Sequence, residues 1–308
     1  MSILASVDLG TNTFRMLVAR VEGSQLRPLK VERAIVRLGE GMHENRRFSA
    51  GAISRAIAAL ELFKKTADEM GVSRARVVGT SAFRETQNRE KLVLDAERIT
   101  GWRIEVIPGE EEAKLTAKGA FLGLSVPSWP VLLVDIGGGS TEYTVVDRGI
   151  IIYTKSTNLG VVHLTEQLVK HDPPTGKELA LLRKRIGDTL TELTGRWKPG
   201  PLPILVGVAG TPTTIAALHM GLKDYRHDLV HGHTMGLQEV EGLTNRLIAM
   251  TTAQRRVLPG MEEGREDLIV AGAILLLESM KAFGSNRLVV SDCGLLEGVL
   301  LDMLEEER

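Results

Sequence analysis

The segment Val7-Asp8-Leu9-Gly10-Thr11-Asn12-Thr13 returns 127 positions later as Val134-Asp135-Ile136-Gly137-Gly138-Gly139-Ser140. In both copies an apolar β-type run leads into Asp, and a glycine turn with hydroxyl residues follows. A second β-type run then leads away, Phe14 to Val21 in one copy and Thr141 to Val146 in the other. Apolar strand, Gly-rich turn and returning strand is the pattern of a hairpin. Repeated at domain distance in a chain of 308 residues, it predicts a duplicated domain, each copy opening with the same loop.

The remaining periodicity fills two α/β units. Arg27 to Leu38 reads as a third strand. Ala50 to Met70 carries Ile53, Ile57, Leu60, Phe63 and Ala67 at helical spacing and stops at Gly71. Val77 to Thr80 is expected as a strand, Asn88 to Thr100 as a helix, and Trp102 to Ile107 as a strand. A helix from Glu110 to Leu122 then opens after Pro108-Gly109. The small-residue and proline stretch 123–130 is the expected linker. After the second hairpin come a strand at Ile150 to Thr157, helices near 160–170 and 176–195, and a strand at Pro203 to Val208. That strand runs into Gly210-Thr211-Pro212, a helix start. Helices near 236–249, 264–283 and 294–306 follow, with a strand at Leu288 to Val290 between the last two. The plan is α/β, with domains at 1–123 and 124–308 and a last helix, about 298–308, packing back on the first domain.

Composition narrows the partners. Lys and Arg number 38 against 39 Asp and Glu, a formal charge of -1. Without a global basic field, neither a nucleic-acid duplex nor a membrane is expected as a partner, and only a local anion site remains open. The longest apolar stretch, Leu268 to Leu277, is about half of what a bilayer needs. The single cysteine, Cys293, cannot form an internal disulfide or build a zinc site alone, which suits a reducing, cytoplasmic setting. His231-Gly232-His233, with His219 and His227 nearby, lacks the carboxylate or cysteine spacing of a zinc site and is expected to serve a loop or an interface. No P-loop, G-x-G-x-x-G, H-E-x-x-H or G-x-S-x-G pattern occurs.

The chemistry therefore falls to the glycine loops. Backbone N–H groups and short hydroxyls can wrap phosphate oxygens where glycine lets the backbone come close. A carboxylate at the strand end, Asp8 or Asp135, makes sense beside phosphate if a hard cation such as Mg²⁺ lies between them. Glu142 stands two residues beyond Ser140 and, beside a metal-binding Asp, suits a supporting place behind the ligands of the same cation. Glu110-Glu111-Glu112 opens a helix. Acids there complement the helix dipole, and a carboxylate facing a phosphate site could also orient a water. Thr80-Ser81-Ala82-Phe83-Arg84 and Gly210-Thr211 each join a strand to a helix, which suits an anion pocket.

Taken in order, Val7–Phe14, Gly79–Arg84, Gly109–Ala113 and Asp135–Glu142 resemble the exopolyphosphatase / guanosine pentaphosphate phosphohydrolase family. Gly160-Val161-Val162-His163-Leu164-Thr165, Gly210-Thr211 and Ser291 to Gly298 extend the resemblance over essentially the whole chain. It implies two actin-like ribonuclease-H-fold domains with the active site in the cleft between them. The implied activity is Mg²⁺-dependent hydrolysis of a terminal phosphoanhydride. The resemblance casts Glu112 as the residue that activates water, on the side opposite the metal and the arginine. Asp135 and Glu142 would hold the metal, with help from Asp8. Asn12, Thr13, Arg84 and the backbone of Gly137, Gly138, Gly139, Ser140 and Thr141 would grip phosphates, with Thr11, Thr80, Ser81, Glu111, Gly210 and Thr211 as a wider set.

Two positions depart from the family pattern, His163 and Leu296, each where arginine is expected. The C-terminal helical domains of long members have no counterpart in this sequence, which shifts the expectation towards short polymers. The expected substrate is polyphosphate, with guanosine pentaphosphate as the alternative. A kinase of the same superfold and a non-catalytic sensor are the readings from other classes, and a homodimer is compatible with all of them.

Overall fold

A computed structural model describes residues 2–23, 25–196 and 200–306. The chain divides into two compact units, Met1–Leu122 with Gly294–Arg308, and Gly123–Cys293.

The first unit begins β1 (Ile3–Leu9), β2 (Thr13–Glu22) and β3 (Gln25–Ile35), an antiparallel meander. There follow α1 (Met42–Asn45), α2 (Ala50–Glu69), β4 (Arg74–Gly79), α3 (Ser81–Glu85), α4 (Arg89–Thr100), β5 (Ile104–Val106) and α5 (Gly109–Ala120). The sheet order is β3-β2-β1-β4-β5, with β1, β4 and β5 parallel. Being central, β1 is buried on both faces, so its apolar residues run almost without alternation. Ala5, Val7 and Leu9 pack with Ala56, Leu60 and Phe63 of α2 and with Leu92 of α4. Ser49 caps α2, its side chain accepting from the Ala52 amide at 3.1 Å.

The second unit repeats this plan. It contains β6 (Val131–Ile136), β7 (Thr141–Asp147), β8 (Ile150–Thr157), α6 (Val161–Leu168), α7 (Gly176–Arg196), β9 (Ile204–Val208) and α8 (Gly210–Met220). Next come α9 (His227–Val230), β10 (Thr234–Gly236), α10 (Leu237–Ile248), α11 (Thr252–Arg256), α12 (Ile269–Ala282) and β11 (Arg287–Val290). Its sheet runs β10-β11-β9-β6-β7-β8, which is the first unit's order with one antiparallel edge strand added. The nearly all-apolar α12 is buried along its length, in the middle of this unit's core.

The final helix, α13 (Leu295–Glu306), belongs to the first unit. Residues 307 and 308, included in the helix expected from the sequence, lie outside the described residues. Leu295, Leu296, Val299, Leu300 and Met303 cover the second face of the first sheet together with Leu115 of α5. The two helices approach so closely that a Cβ on Gly119 would stand 2.0 Å from the Gly294 carbonyl oxygen, and one on Gly298 1.8 Å from that of Leu115. Leu296 thus occupies an apolar core position, where an arginine would bury its charge. Polar clamps finish the joint. Arg76 binds Asp302 at 2.7 Å, and Lys118 reaches Asp302 at 3.0 Å and Glu305 at 2.6 Å.

Most periodic segments became the elements their spacing predicted. The additions are β10 and the short α1, α3, α9 and α11, three to five residues each, too short to show a period.

Candidate active site

The two echoed loops fold into the same hairpin. Leu9 pairs with Phe14 and Ile136 with Thr141, leaving Gly10–Thr13 and Gly137–Ser140 as equivalent turns. The first glycine serves the same purpose in each. A Cβ on Gly10 would lie 2.8 Å from the Thr13 oxygen, and one on Gly137 3.0 Å from the Ser140 oxygen. Loop carbonyls are tied back by protein amides in both copies. Val36 and Arg37 donate to the Asn12 oxygen at 3.0 and 2.8 Å, and Gly39 donates to that of Thr11 at 2.9 Å. Val161 and Val162 donate to the Gly137 and Gly138 oxygens at 3.1 and 2.9 Å. Carbonyl oxygens held in this way are kept from repelling an anion at the loop. Gly160 makes the second arrangement possible, since a Cβ there would stand 2.1 Å from the Gly139 carbonyl carbon. His163 lies one turn on in α6, half-buried.

One residue pair distinguishes the two hairpins. The strand residue opposite Asp8 is Arg15, and the residue opposite Asp135 is Glu142. Arg15 Nη2 donates to Asp8 Oδ2 at 3.0 Å, so Asp8 already has a counter-charge. Asp135 and Glu142 instead place two acids directly across an antiparallel pair. Glu142 is buried, and its Oε1 accepts from Ser140 Oγ at 2.8 Å and Ser156 Oγ at 2.7 Å. Two carboxylates of this kind are donors for a hard cation.

Arg84 and Glu112 meet in the first unit. Arg84 Nη1 donates to Glu112 Oε2 at 2.6 Å and to the Ile107 oxygen at 3.0 Å. The sequence reading set them on opposite sides. The topology brings them together, because α3 and α5 open at the C-terminal ends of the adjacent parallel strands β4 and β5. The three acids of α5 also separate. Glu110 is exposed, Glu111 pairs with Arg76 at 3.4 Å, and Glu112 is buried against Arg84.

Several expected phosphate ligands have other commitments. Thr141 is fully buried and donates its hydroxyl to the Leu159 oxygen at 2.6 Å, so its one proton is not available to a phosphate. Thr80 donates to the Leu9 oxygen at 3.3 Å, and Ser81 to Glu85 at 2.5 Å. The Asn12 amide donates to Thr13 Oγ1 at 3.3 Å. Thr211 is buried against Gly272 of α12, where a Cβ would come within 2.6 Å of its hydroxyl.

The sequence reading missed Arg265. A Cβ on Gly210 would overlap its guanidinium at 1.8 Å, so the cation lies flat against the start of α8, and it pairs with Glu262. The preceding Ala209 holds φ 67 and ψ -168, a region nearly reserved for glycine, and strain of this kind clusters at functional loops. Nothing in the local sequence links residue 265 to residue 210. Arg15 and Ser156 were equally out of sight, because strand register decides their neighbours.

Two α/β units that share a five-strand order, each opening on an acid-ended glycine hairpin, define the actin-like, ribonuclease-H-type fold class. Within that class the chain belongs to the Ppx/GppA phosphatase family, which it matches over residues 17–307, and whose members are phosphoanhydride hydrolases. It is 34% identical to exopolyphosphatase 2 of Mycobacterium tuberculosis (strain CDC 1551 / Oshkosh), over 97% of this chain and 98% of that protein. It is 26% identical to the guanosine-5'-triphosphate,3'-diphosphate pyrophosphatase of Pseudoalteromonas translucida, over 99% of this chain and 60% of that protein. The crystal structure of the Aquifex aeolicus Ppx/GppA family member is 30% identical, with a TM-score of 0.83 and coverage of 100% of this chain and 99% of that one. No described helix is long and apolar enough to cross a membrane.

Proposed function

We propose that the chain is an exopolyphosphatase, hydrolysing the terminal phosphoanhydride of inorganic polyphosphate with a divalent cation. The observation that carries this reading is the contrast between the hairpins. Asp8 is paired with Arg15, whereas Asp135 is faced by a second acid, Glu142, and two carboxylates side by side offer oxygen donors to a hard cation. Those two acids would hold Mg²⁺, with Asp8 left to its arginine. The bound cation would neutralise phosphate oxygens and so ease charge development on the leaving chain.

The chain's own residues supply the rest. The backbone amides of Gly138, Gly139 and Ser140, with Asn12 and Thr13, would grip phosphate oxygens, and Arg265 would add a cation beside Gly210. Glu112 accepts a proton from the attacking water. The water oxygen bonds to the terminal phosphorus, the bridging P–O bond breaks, and orthophosphate leaves a chain one unit shorter. Arg84 links binding to chemistry. A phosphate that draws its guanidinium away from Glu112 uncovers the carboxylate that must take the proton.

The pyrophosphatase name carried by one relative supports guanosine pentaphosphate as the second substrate to try, since the bond broken would be of the same kind. A phosphate-release assay in Mg²⁺ comparing short polyphosphate, long polyphosphate and guanosine pentaphosphate tests the proposal. Fastest release from polyphosphate is the expected result. Release only from the nucleotide would replace the substrate, and none from any of the three would remove the hydrolase reading.

A further inference from the structure

The second unit holds a group of metal-binding side chains that the proposed phosphate chemistry does not use. His227 and His231 are four residues apart around the short α9, with rings stacked at 5.4 Å between centroids and 16° between planes. Cys293 enters from the segment just beyond β11. One donor atom from each of His227, His231 and Cys293 lies within 4.8 Å of the other two. Asp292 adjoins them, its Oδ2 2.7 Å from His227 Nδ1, while its backbone N–H donates to His231 Nδ1 at 3.3 Å.

The juxtaposition is fixed by the sheet. Thr234 of β10 pairs with Val289 of β11, the Gly232 amide donates to the Val290 oxygen at 2.7 Å, and the Val290 amide donates to that of His233 at 2.9 Å. Ser291 holds the other side, its hydroxyl donating to the Cys293 oxygen at 2.9 Å and accepting from the Cys293 amide at 3.2 Å. Both donor-bearing segments are therefore anchored by backbone hydrogen bonds, so side-chain rotation changes the spacing of the donors. His231 exchanges its long contact from the Asp292 N–H for the ion, so that a ring lone pair is free to ligate.

We propose that His227, His231 and Cys293 form a binding site for Zn²⁺, with Asp292 orienting His227 through its second ring nitrogen. In a tetrahedral zinc site with Zn–N near 2.0 Å and Zn–S near 2.3 Å, ligand atoms stand roughly 3.3–3.5 Å apart. The observed limit of 4.8 Å is about 1.3–1.5 Å wider than this, within reach of rotamer adjustment in the exposed His227. A carboxylate on the far nitrogen of a zinc-ligating histidine is the usual supporting arrangement. The donors also select the ion. Two imidazoles and a thiolate favour zinc over magnesium, whereas Asp135 and Glu142 offer only oxygen. The sequence concealed this site, because His231-Gly232-His233 has no cysteine within zinc-motif spacing and the ligating thiol comes from the far end of the unit.

This site stands independently of the exopolyphosphatase reading. The test uses chelator-stripped, tag-free full-length protein, titrated with Zn²⁺ in excess Mg²⁺ and separately with Co²⁺. One Zn²⁺ per chain is expected, undisplaced by Mg²⁺. Bound Co²⁺ is expected to show tetrahedral visible absorption and a thiolate charge-transfer band. Cys293→Ser should abolish that band, and both it and His227→Ala should weaken Zn²⁺ binding at least tenfold. Asp292→Asn should weaken it by about 10–100-fold. Glu142→Gln should leave it unchanged, which separates this ion from the one proposed at the hairpin. Circular dichroism establishes that each variant is folded, and the exposed His227 carries the test if Cys293→Ser does not fold. Absence of stoichiometric Zn²⁺ binding, or wild-type affinity in folded His227→Ala, overturns the proposal.

Discussion

Gly160→Ala isolates the close packing that shapes the second loop. Gly160 has φ -88 and ψ 139, values open to any residue, so the substitution carries no backbone strain. Its effect is steric. The new methyl would meet the Gly139 carbonyl carbon at 2.1 Å, the Gly138 oxygen at 2.2 Å and the Gly139 Cα at 2.3 Å. All three are backbone atoms, so no flexible side chain can yield. Restoring ordinary contact near 3.5 Å means moving the loop and the start of α6 apart by more than 1 Å, against the Val161 and Val162 hydrogen bonds. Overpacking of this order costs about 1–3 kcal/mol, from which about 0.4–1 is recovered through the stiffer unfolded chain. The expected net loss is about 0–2.6 kcal/mol, and Tm falls by up to roughly 10 °C. Activity should fall further, because a 1 Å displacement of a positioning loop can cost about 100-fold. Gly187→Ala is the control, a helical glycine with nothing within 4 Å of the added carbon, and it should be neutral or stabilising. Differential scanning fluorimetry and phosphate release read both variants. A Gly160→Ala protein with unchanged Tm and full activity would refute the close approach of α6 to the loop.

Other variants test separate parts of the structure. Leu300→Ala empties a fully buried position between α13 and the first sheet and should cost about 2–5 kcal/mol in denaturant unfolding, a cost a loosely docked helix would not show. Glu178 accepts from the His171 ring and from the Thr175 and Lys170 amides, contacts that hold its carboxyl well below the usual range, at about 2. Its stabilisation is complete above the ordinary carboxylate pKa and fades as pH falls through about 2. The stability gap between wild type and Glu178→Gln should therefore narrow from pH 7 to pH 3, and an equal gap at both would contradict these contacts. Glu112→Gln should lower phosphate release by about 10²–10⁴-fold with little change in Tm, and near-normal turnover would remove Glu112 as the base.

The duplicated hairpin and the long helices were legible because each writes a period or a repeat into local sequence. Both glycine turns stood out because Gly10 and Gly137 are demanded by the same backbone approach. What the sequence withheld depends on register or on distant chain. Arg15 and Glu142 occupy equivalent strand positions, yet only the pairing shows that one neutralises an acid and the other adds to it. The Arg84–Glu112 contact needs β4 and β5 side by side. Arg265 reaches Gly210, and Cys293 reaches His231, only after the second unit has closed its core. The Thr141 hydroxyl, buried beside the loop, takes the nearest carbonyl, that of Leu159, a contact that only the folded hairpin sets up.

The assignment of the catalytic cation to the second hairpin is tested most directly by phosphate release measured against Mg²⁺ concentration for wild type, Asp8→Asn and Glu142→Gln. Glu142→Gln should raise the half-saturating Mg²⁺ concentration at least tenfold, while Asp8→Asn leaves it within about twofold. Wild-type Mg²⁺ dependence in Glu142→Gln, with the shift appearing in Asp8→Asn, would place the cation at the first hairpin and contradict the account.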